Sequence, residues 1–497
     1  MLVRDVDSAA GRSYDVVIVG GGIYGAMLAL QATARGLHPL LVERHDFGSG
    51  TSFNSFRLIH GGLRYLQSLD IVRLRESVAE RRWFLKHFPE QVMPAPCLMP
   101  LYGRGLRRCR IMQLALLAND LLSIDRNTGL RDDRRLPAGR ILGRAETLRR
   151  CPQIDSHRLQ GAALWWDASM PDSQRLLMEI LRWSVSAGAT VLNYVAAEKL
   201  LVDDGRASGI AARDRVSGRL HEFRGQRVIN AAGPWVRETA AALDRDFAAL
   251  FRPTLAWNIL LDRPAPSESL LALQAADSEA QTFFLQSFKG RLLVGTGHAD
   301  WAGGPDAPRP SRRQLEQTLA QVNSALPGLQ LQGSEVIRVF SGLLPGRGAR
   351  GQQLSDRPCL IDHGRQGGVQ NLFSVSGVKF TTARRVAETA LRLAVGRAAP
   401  AGAGQGERPA AVAPAVWSCR VTDAAGLEPY LPGLRRLIVE EAVLHLDDLV
   451  LRRTTLWESG VPAVQLAARL CELFTWDEPR RRAETARLAA AFDTVLA

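Results

Sequence analysis

The stretch from Tyr14 to Glu43 constrains the fold more than any other part of the chain. Residues 16–19 are a short β-branched run, which is typical of a buried parallel strand. Residues 26–34 predict a helix, and residues 40–42 predict a second strand that ends at Glu43. Between the first strand and the helix stand three glycines in the spacing G-x-G-x-x-G, namely Gly20, Gly22 and Gly25. The stretch therefore predicts a strand–helix–strand unit of a doubly wound α/β sheet.

Each glycine of this motif has a physical role in binding a dinucleotide. Gly20 permits the tight turn, Gly22 lets a pyrophosphate approach the backbone, and Gly25 lets helix and strand pack closely. The helix N-terminus offers N–H groups and the positive end of the helix dipole to the phosphates. A carboxylate at the position of Glu43 accepts hydrogen bonds from a ribose. The motif predicts a dinucleotide cofactor without choosing between FAD and NAD, and the alternative is an ordinary glycine turn.

Composition and charge narrow the class of protein. A chain of 497 residues, 46% hydrophobic and 23% charged, is long enough for two or three globular domains. No apolar run reaches the roughly 18 residues of a membrane span. The first 13 residues lack an apolar signal core, so we expect a cytoplasmic protein. The net charge of +13 is spread along the chain, which favours an anionic substrate, cofactor or lipid over nucleic acid. The six scattered cysteines predict neither disulfides nor a metal site.

A segment rich in small polar residues follows the first two predicted strands. Residues 48–66 read GSGTSFNSFRLIHGGLRYL. Hydroxyl groups and free backbone N–H groups of this kind suit further contacts to phosphate and ribose. Our candidates for these contacts are Thr51, Ser52, Gly61 and Gly62. The alternative is a solvated surface loop, although loops on a rigid scaffold often carry binding residues.

Two later segments end a predicted strand in small residues. The first is a buried apolar strand that ends at Ala232 and Gly233, where a backbone can approach a bound dinucleotide. The second predicts a strand, a turn at Gly377 and the start of a helix, which places Lys379 and Thr381 at a helix N-terminus. Such an end is a potential anion site. The alternative for the second segment is an ordinary helix N-cap.

A basic and apolar segment lies between residues 101 and 122. The apolar run 111–117 directly follows four arginines: Arg104, Arg107, Arg108 and Arg110. An amphipathic basic helix of this kind can lie on an anionic membrane surface. A core helix with a basic cap is the alternative, and the sequence alone does not decide between them.

These motifs together resemble the FAD-dependent glycerol-3-phosphate dehydrogenases, within the flavin oxidoreductases that include D-amino-acid and glycine oxidases. The matching pieces are GGGIYG, GTS with RLIHGGLRYL, NAAGPWV and GVKFTTAR, and the resemblance spans nearly the whole chain. It implies FAD as the cofactor and hydride transfer from C2 of sn-glycerol 3-phosphate to flavin N5. It also implies a quinone or another electron acceptor. His60, Arg64 and Lys379 match positions that line the active site of this family.

The resemblance also implies a division into domains. We expect a doubly wound (Rossmann-like) FAD-binding domain, a β-sheet substrate domain and a C-terminal helical domain. The expected bounds are 14–100, 166–240 and 346–398 for the FAD-binding domain, 101–165 for a helical insertion, 241–345 for the substrate domain, 399–414 for a linker and 415–497 for the helical domain.

The chain departs from the family pattern on the substrate side. The family's SGVRPL reads SGLLPG here, so Leu344 stands where the family has the phosphate-binding Arg, and Arg347 lies three residues on. The family's Lys-Gly-x-His reads LAWN, which makes Asn258 the candidate base or substrate contact, and Gly297-His298 replaces a usual Thr-Asp. Three interpretations follow: a glycerol-3-phosphate dehydrogenase with an altered phosphate site, a flavin oxidoreductase for a different hydroxy or amino compound, and a flavin-bound protein without turnover.

Overall fold

A computed structural model describes most of the chain. The described residues are 1–103, 105, 108–274, 282–347, 353–396, 406–419, 421, 423, 425–459 and 463–492. Arg104 and Arg107 of the basic segment, and 399–405 of the expected linker, therefore lie outside the described residues. Within the described part of the chain, the strands form sheets of six, ten and four strands.

The six-stranded sheet carries the glycine motif. Its strand order is Cys359–Asp362, Leu372–Ser376, Val228–Asn230, Val16–Val19, Pro39–Val42 and Thr190–Leu192. All neighbours run parallel except the first pair, which is antiparallel. Three helices pack together against this sheet: Ile23–Thr33, Ser173–Ser186 and Ala383–Val395. The arrangement confirms the predicted doubly wound α/β fold, in which ligands bind at the carboxyl ends of the strands.

The ten-stranded sheet is mainly antiparallel. Its strand order is Gln353–Leu354, Val336–Arg347, Pro253–Leu261, Arg291–Asp300, Thr282–Phe288, Leu270–Gln274, Met93–Leu101, Gly161–Ser169 and Leu58–Ile59, and Arg140–Gly143 pairs with Gly161–Ser169. The expected domain bounds stay predictions. Strand pairing nevertheless joins Met93–Leu101 and Gly161–Ser169 to the strands of the expected substrate domain.

A smaller sheet lies at the edge of the FAD-binding part. Its strand order is Ser13–Tyr14, Leu220–Gly225, Arg206–Asp214 and Val195–Asp203. The sequence predicts a meander that begins at 190–194. The prediction is wrong at this first strand, because Thr190–Leu192 pairs in parallel with Pro39–Val42 in the six-stranded sheet.

Helices and helical turns complete the described fold. The α-helices not yet given are Val6–Ala10, Ile71–His87, Cys109–Leu122, Arg144–Arg150, Val236–Leu243, Arg312–Ala325, Pro414–Trp417, Leu431–Glu440, Ala467–Cys471 and Glu478–Phe492, with a π-helical turn at Asp448–Arg453. The 3-10 turns are Leu63–Ser68, Asp132–Arg134, Gly233–Trp235, Pro327–Leu329, Gly333–Glu335, Gly364–Gln366, Ala425–Tyr430, Leu456–Glu458 and Ala463–Leu466. Among the helices described here, none combines the length and hydropathy that a membrane crossing requires.

The C-terminal region is helical, as predicted, but its helices are shorter than the sequence pattern indicates. The amphipathic run 437–451 predicts one helix, whereas the helix Leu431–Glu440 ends within it. Ala442, just beyond the helix, has a φ of 51°, which interrupts the helical backbone. A buried ion-pair network follows: Arg453 pairs with Asp46 at 2.7 Å, and Arg452 contacts both Asp46 and Asp448. Each of these buried charges has a partner of opposite charge.

Candidate active site

The three glycines of the motif differ in what surrounds them. A Cβ on Gly20 would lie 2.6 Å from the carbonyl oxygen of Ala231, and Gly20 has a positive φ of 112°. A Cβ on Gly25 would lie 1.8 Å from the carbonyl oxygen of Gly20. A Cβ on Gly22 would meet only the Ser52 hydroxyl, at 3.3 Å. Gly20 and Gly25 are therefore required because backbone atoms of the protein pack against them, whereas Gly22 meets only a side-chain hydroxyl and fits the position at which the motif brings a pyrophosphate close to the backbone.

The side chains of Ser52 and Glu43 lie beside the glycine motif, and we call the motif and these two side chains the cradle. The Ile23 N–H, at the start of the helix Ile23–Thr33, donates to the Ser52 hydroxyl at 3.0 Å. Glu43 accepts from the N–H groups of Gly21 at 2.6 Å and His45 at 2.8 Å. Burial raises the pKa of Glu43, although these two donors oppose the shift. Each carboxylate oxygen keeps a second lone pair for a ribose hydroxyl.

The other predicted cofactor residues lie on loops around the cradle. Thr51 donates its hydroxyl to the Leu343 carbonyl at 3.2 Å, so this side chain joins the cradle to the ten-stranded sheet. The N–H of Ala232 donates to the Asn230 side chain at 3.2 Å, and Gly233 has a φ of 56°. The tight turn after Val228–Asn230 thus holds the backbone at 232–233 close to the glycine motif, and the small residues there permit this approach.

His60 is a half-buried residue whose two ring nitrogens are both buried. Neither ring nitrogen has a hydrogen-bond partner among the described residues. The pKa of His60 lies well below its ordinary value because the ring is buried and because Lys379, Arg64 and Arg81 are nearby cations. Its backbone N–H donates to the Thr381 hydroxyl at 3.3 Å. His60 is therefore neutral at physiological pH, and one ring nitrogen carries a lone pair that can accept a hydrogen bond.

Tyr65 lies at the centre of a group of cations. The Nζ of Lys379 donates to the Tyr65 hydroxyl and lies 4.7 Å from the ring centroid. The guanidinium carbons of Arg73 and Arg64 lie 5.3 and 6.0 Å from the same centroid, and the His60 ring lies 6.1 Å away. Burial, followed by repulsion from Arg64 and Arg73, lowers the pKa of Lys379 to about 8. The structure thus brings all three predicted catalytic residues together.

Tyr24, inside the glycine motif, fixes the backbone of Lys379. Its hydroxyl donates to the Lys379 carbonyl at 2.8 Å and accepts from the Lys379 N–H at 3.0 Å. A Cβ on Gly377 would lie 1.7 Å from the Tyr24 ring, so that turn requires glycine. The sequence does not predict this contact, because Tyr24 and Lys379 lie 355 residues apart in the chain.

The ion pair between Asp167 and Arg81 is a second contact that the sequence does not predict. Asp167 accepts from the Gly61 N–H at 2.5 Å, from Arg81 at 2.8 Å and from the Trp165 indole at 3.1 Å. A Cβ on Gly61 would lie 2.0 Å from Arg81. The buried ion pair therefore holds the turn that carries His60, and Gly62 continues it with a φ of 85°. No local sequence signal links these residues.

The residues at which the chain departs from the family pattern lie in different structural environments. Leu344 is half-buried and pairs with Thr254 in the ten-stranded sheet. Asn258 donates to the Asn54 carbonyl and accepts from the Thr296 hydroxyl, both at 3.0 Å. Because both ends of its amide have partners, Asn258 is poorly placed to act as a base. Arg347 is exposed and lies 3.1 Å from Asp356. Burial lowers the pKa of His298.

Comparisons with known proteins agree with this geometry. The family model described as FAD dependent oxidoreductase (DAO) matches residues 15–393. The glycerol-3-phosphate dehydrogenase of Synechocystis sp. is 31% identical over 400 residues, which cover 78% of this chain and 70% of the relative. Glycerol-3-phosphate dehydrogenase 1 of Mycobacterium tuberculosis is 32% identical over 398 residues, which cover 78% of this chain and 74% of that relative.

Solved structures show the same fold. The glycerol-3-phosphate dehydrogenase from Bacillus halodurans complexed with FAD has a TM-score of 0.73 and 20% identity, with 99% of this chain and 96% of that chain covered. The dithionite-reduced L-α-glycerophosphate oxidase from Mycoplasma pneumoniae with FAD bound has a TM-score of 0.57 and 15% identity, with 80% and 100% covered. The chain belongs to the FAD-dependent oxidoreductase family, and within it to the glycerol-3-phosphate dehydrogenases.

Proposed function

We propose that the protein oxidises sn-glycerol 3-phosphate to dihydroxyacetone phosphate. The observation that carries the proposal is the group of cations around Tyr65 beside a neutral, unpartnered His60. An anionic substrate is attracted by the cations, and a hydroxyl that loses its proton needs a nearby base. Bound FAD supplies the acceptor for the hydride of the carbinol carbon.

Each predicted site residue has a role in this proposal. His60 takes the hydroxyl proton, while Arg64 and Lys379 bind the negatively charged end of the substrate. Two features fit FAD: a Cβ at Gly22 would meet only the Ser52 hydroxyl, and the ring nitrogens of His60 have no hydrogen-bond partner among the described residues. The residues that we assign to the cofactor are Gly20, Gly22, Gly25, Glu43, Thr51, Ser52, Gly61, Gly62, Ala232, Gly233, Gly377 and Thr381.

One observation favours a second candidate function. Leu344 carries no charge at the position where the family pattern has its phosphate-binding Arg. A flavin oxidoreductase that acts on a different hydroxy or amino compound would not need that Arg. Anaerobic mixing of the purified holoenzyme with sn-glycerol 3-phosphate, glycerol, hydroxy acids and amino acids separates the two. The proposal expects rapid bleaching of the flavin by sn-glycerol 3-phosphate, whereas bleaching by another compound alone would favour the second candidate.

The pH dependence of the reaction tests the role of Lys379. Its pKa is lowered to about 8, so the ammonium is charged below pH 8 and loses its charge above it. We expect kcat/KM for sn-glycerol 3-phosphate to fall about tenfold per pH unit above pH 8, because the anion loses a cationic partner. In Lys379→Arg the charge persists, so the fall should move beyond about pH 10. A rate that instead rises through pH 8 would identify neutral Lys379 as the base.

We also propose that the protein docks on an anionic membrane surface and passes electrons to a quinone there. Neighbouring segments present apolar side chains that are between 54% and 81% exposed: Leu69, Val72, Leu114, Leu117, Leu121 and Ile124. Arg75 donates to the Leu122 carbonyl at 2.6 Å and pairs with Asp125, which joins the helix Cys109–Leu122 to the start of Ile71–His87. Exposed apolar surface of this kind marks an interaction site, and it adjoins the segment that carries Tyr65.

Vesicle sedimentation tests this docking surface. The variant Leu114→Ser/Leu117→Ser/Leu121→Ser should bind anionic vesicles roughly 100-fold more weakly, at roughly 1 kcal/mol per partly inserted leucine. The matched control replaces three exposed valines elsewhere, Val202, Val216 and Val439, and should bind as the unmodified protein does. Equal binding by all three proteins would contradict the proposed surface. High salt should weaken the binding to anionic vesicles if the exposed Arg108 and Arg110 contribute to it.

A further inference from the structure

The three cations at Tyr65, together with Arg347, outnumber the carboxylates that they contact. Within the described residues, Arg64 and Lys379 have no carboxylate within ion-pair distance, although both lie close to the Tyr65 ring. Arg73 and Arg347 share one carboxylate, Asp356, and in the described part of the chain Asp70 forms an ion pair with Arg73 alone. These four cations exceed the two carboxylates by two charges, and Arg357 is a further cation that acts on Asp70. A phosphate monoester carries a matching double negative charge at neutral pH.

Arg73 is held in place from two sides. Its Nε lies 2.5 Å from Asp70, and its Nη1 lies 2.5 Å from Asp356. Its guanidinium also faces the Tyr65 ring at 5.3 Å, and the side chain is only 22% exposed. An arginine with fixed orientation loses little conformational freedom on binding, and its remaining Nη2 is available for a phosphate oxygen.

Asp356 connects Arg73 to the substrate sheet. The Nη1 of Arg347 lies 3.1 Å from the other oxygen of Asp356, and Arg347 ends the strand that contains Leu344. The Arg73–Asp356–Arg347 bridge therefore joins the helix Ile71–His87 to the substrate sheet. It brings two guanidinium groups near the strand in which Leu344 carries no charge.

We propose that Arg73, oriented by Asp70 and Asp356 and assisted by Arg347, binds the phosphate group of the substrate and compensates for the uncharged Leu344. The proposal rests on the proposed oxidation of a phosphate ester and adds the residues that select for it. In this proposal Arg64 and Lys379 contact the same dianion. Charged hydrogen bonds contribute about 1.5–3 kcal/mol each, so one of them changes affinity by about 10- to 100-fold.

The first test measures the binding of inorganic phosphate to the oxidised holoenzyme through the change in flavin absorbance. Arg73→Leu should raise the phosphate Kd and the KM for sn-glycerol 3-phosphate by 10- to 100-fold, with FAD content unchanged. The KM for uncharged glycerol should stay the same. Arg75→Leu is the matched control, because Arg75 lies on the same helix and loses an ion pair with Asp125. A phosphate Kd in Arg73→Leu within twofold of that of the unmodified protein would overturn the proposal.

The second test removes the positive charge of Arg73 and introduces a positive charge at position 344. Leu344→Arg should rescue most of the phosphate affinity in the Arg73→Leu background but improve the unmodified protein by less than threefold. A large gain in the unmodified protein would overturn the proposal, because it would show that no residue compensates for Leu344. Arg347→Leu, at an exposed position, should raise the phosphate Kd three- to tenfold and gives a readout even if Arg73→Leu does not fold.

The two tests separate this inference from the proposed function. If the unmodified protein binds phosphate through Arg73 but sn-glycerol 3-phosphate does not bleach its flavin, the proposed oxidation fails and the phosphate site stands. If sn-glycerol 3-phosphate bleaches the flavin of Arg73→Leu with an unchanged KM, the oxidation stands and the phosphate site fails.

Discussion

Gly22→Val is expected to yield a folded but colourless protein. In the structure a Cβ at this position would meet only the Ser52 hydroxyl at 3.3 Å, so this side-chain group must shift by a few tenths of an ångström while the backbone can stay in place. The valine side chain would then occupy the space where the motif places the pyrophosphate. Valine there would remove the close approach of phosphate oxygens to the backbone N–H groups. The loss of two charged hydrogen bonds, at about 1.5–3 kcal/mol each, weakens FAD binding by at least about 100-fold.

The measurement is the flavin absorbance of the purified variant, together with the melting temperature of both apoproteins. Gly143→Val is the matched control, because a Cβ at Gly143 meets nothing within 4 Å and the residue has an extended backbone. It should retain its full FAD content. A yellow Gly22→Val protein, or one that binds NAD in place of FAD, would contradict the assigned role of the motif.

The parts of the site that the sequence predicts are those in which spacing along the chain determines geometry. The three glycines and Glu43 lie within one strand–helix–strand unit, so their arrangement follows from the local fold. The structure confirms the strands Val16–Val19 and Pro39–Val42 and the helix between them. Lys379 follows the predicted strand Leu372–Ser376, but the helix begins only at Ala383, so the anion site at a helix N-terminus stays a prediction.

The parts that the sequence does not predict depend on contacts across the chain. Tyr24 meets Lys379, and Asp167 meets Arg81 and Gly61, across segments that lie far apart in the chain. Arg73 is a further case: its sequence neighbours predict an ordinary helix start, whereas its partner Asp356 lies 283 residues away. Residue type alone does not show which distant carboxylate a buried or half-buried arginine will meet.

The segment 101–122 is a case in which one sequence pattern fits two different structures. Its pattern of apolar and basic residues fits both a membrane surface helix and a core helix. In the structure the helix Cys109–Leu122 buries Met112 and Leu116 and leaves Leu114, Leu117 and Leu121 exposed. Only the packing of neighbouring elements decides which apolar side chains stay in contact with solvent.

The buried pair of Asp167 and Arg81 carries the second large expected effect. The side chains are only 9% and 4% exposed, so Asp167→Ala would leave the Arg81 guanidinium buried without its carboxylate. Breaking a buried ion pair in this way costs about 3–5 kcal/mol of folding free energy. The same substitution removes the acceptor of the Gly61 N–H, which holds the turn after His60. We therefore expect a lower melting temperature together with at least a tenfold lower kcat in the protein that remains folded.

A matched variant separates the loss of stability from the effect on the site. Glu441→Ala breaks another buried ion pair, in which Arg175 lies 2.6 Å from Glu441 and both side chains are almost fully buried. It should also lower the denaturation midpoint, because the buried Arg175 and Arg453 both lose a carboxylate, although Arg175 keeps Glu179 at 3.2 Å. Its kcat should stay within about twofold, since the turn that carries His60 keeps its acceptor. Equal losses of kcat in both variants would show that Asp167 acts on stability alone, whereas a loss confined to Asp167→Ala identifies Asp167 as a positioning residue for His60.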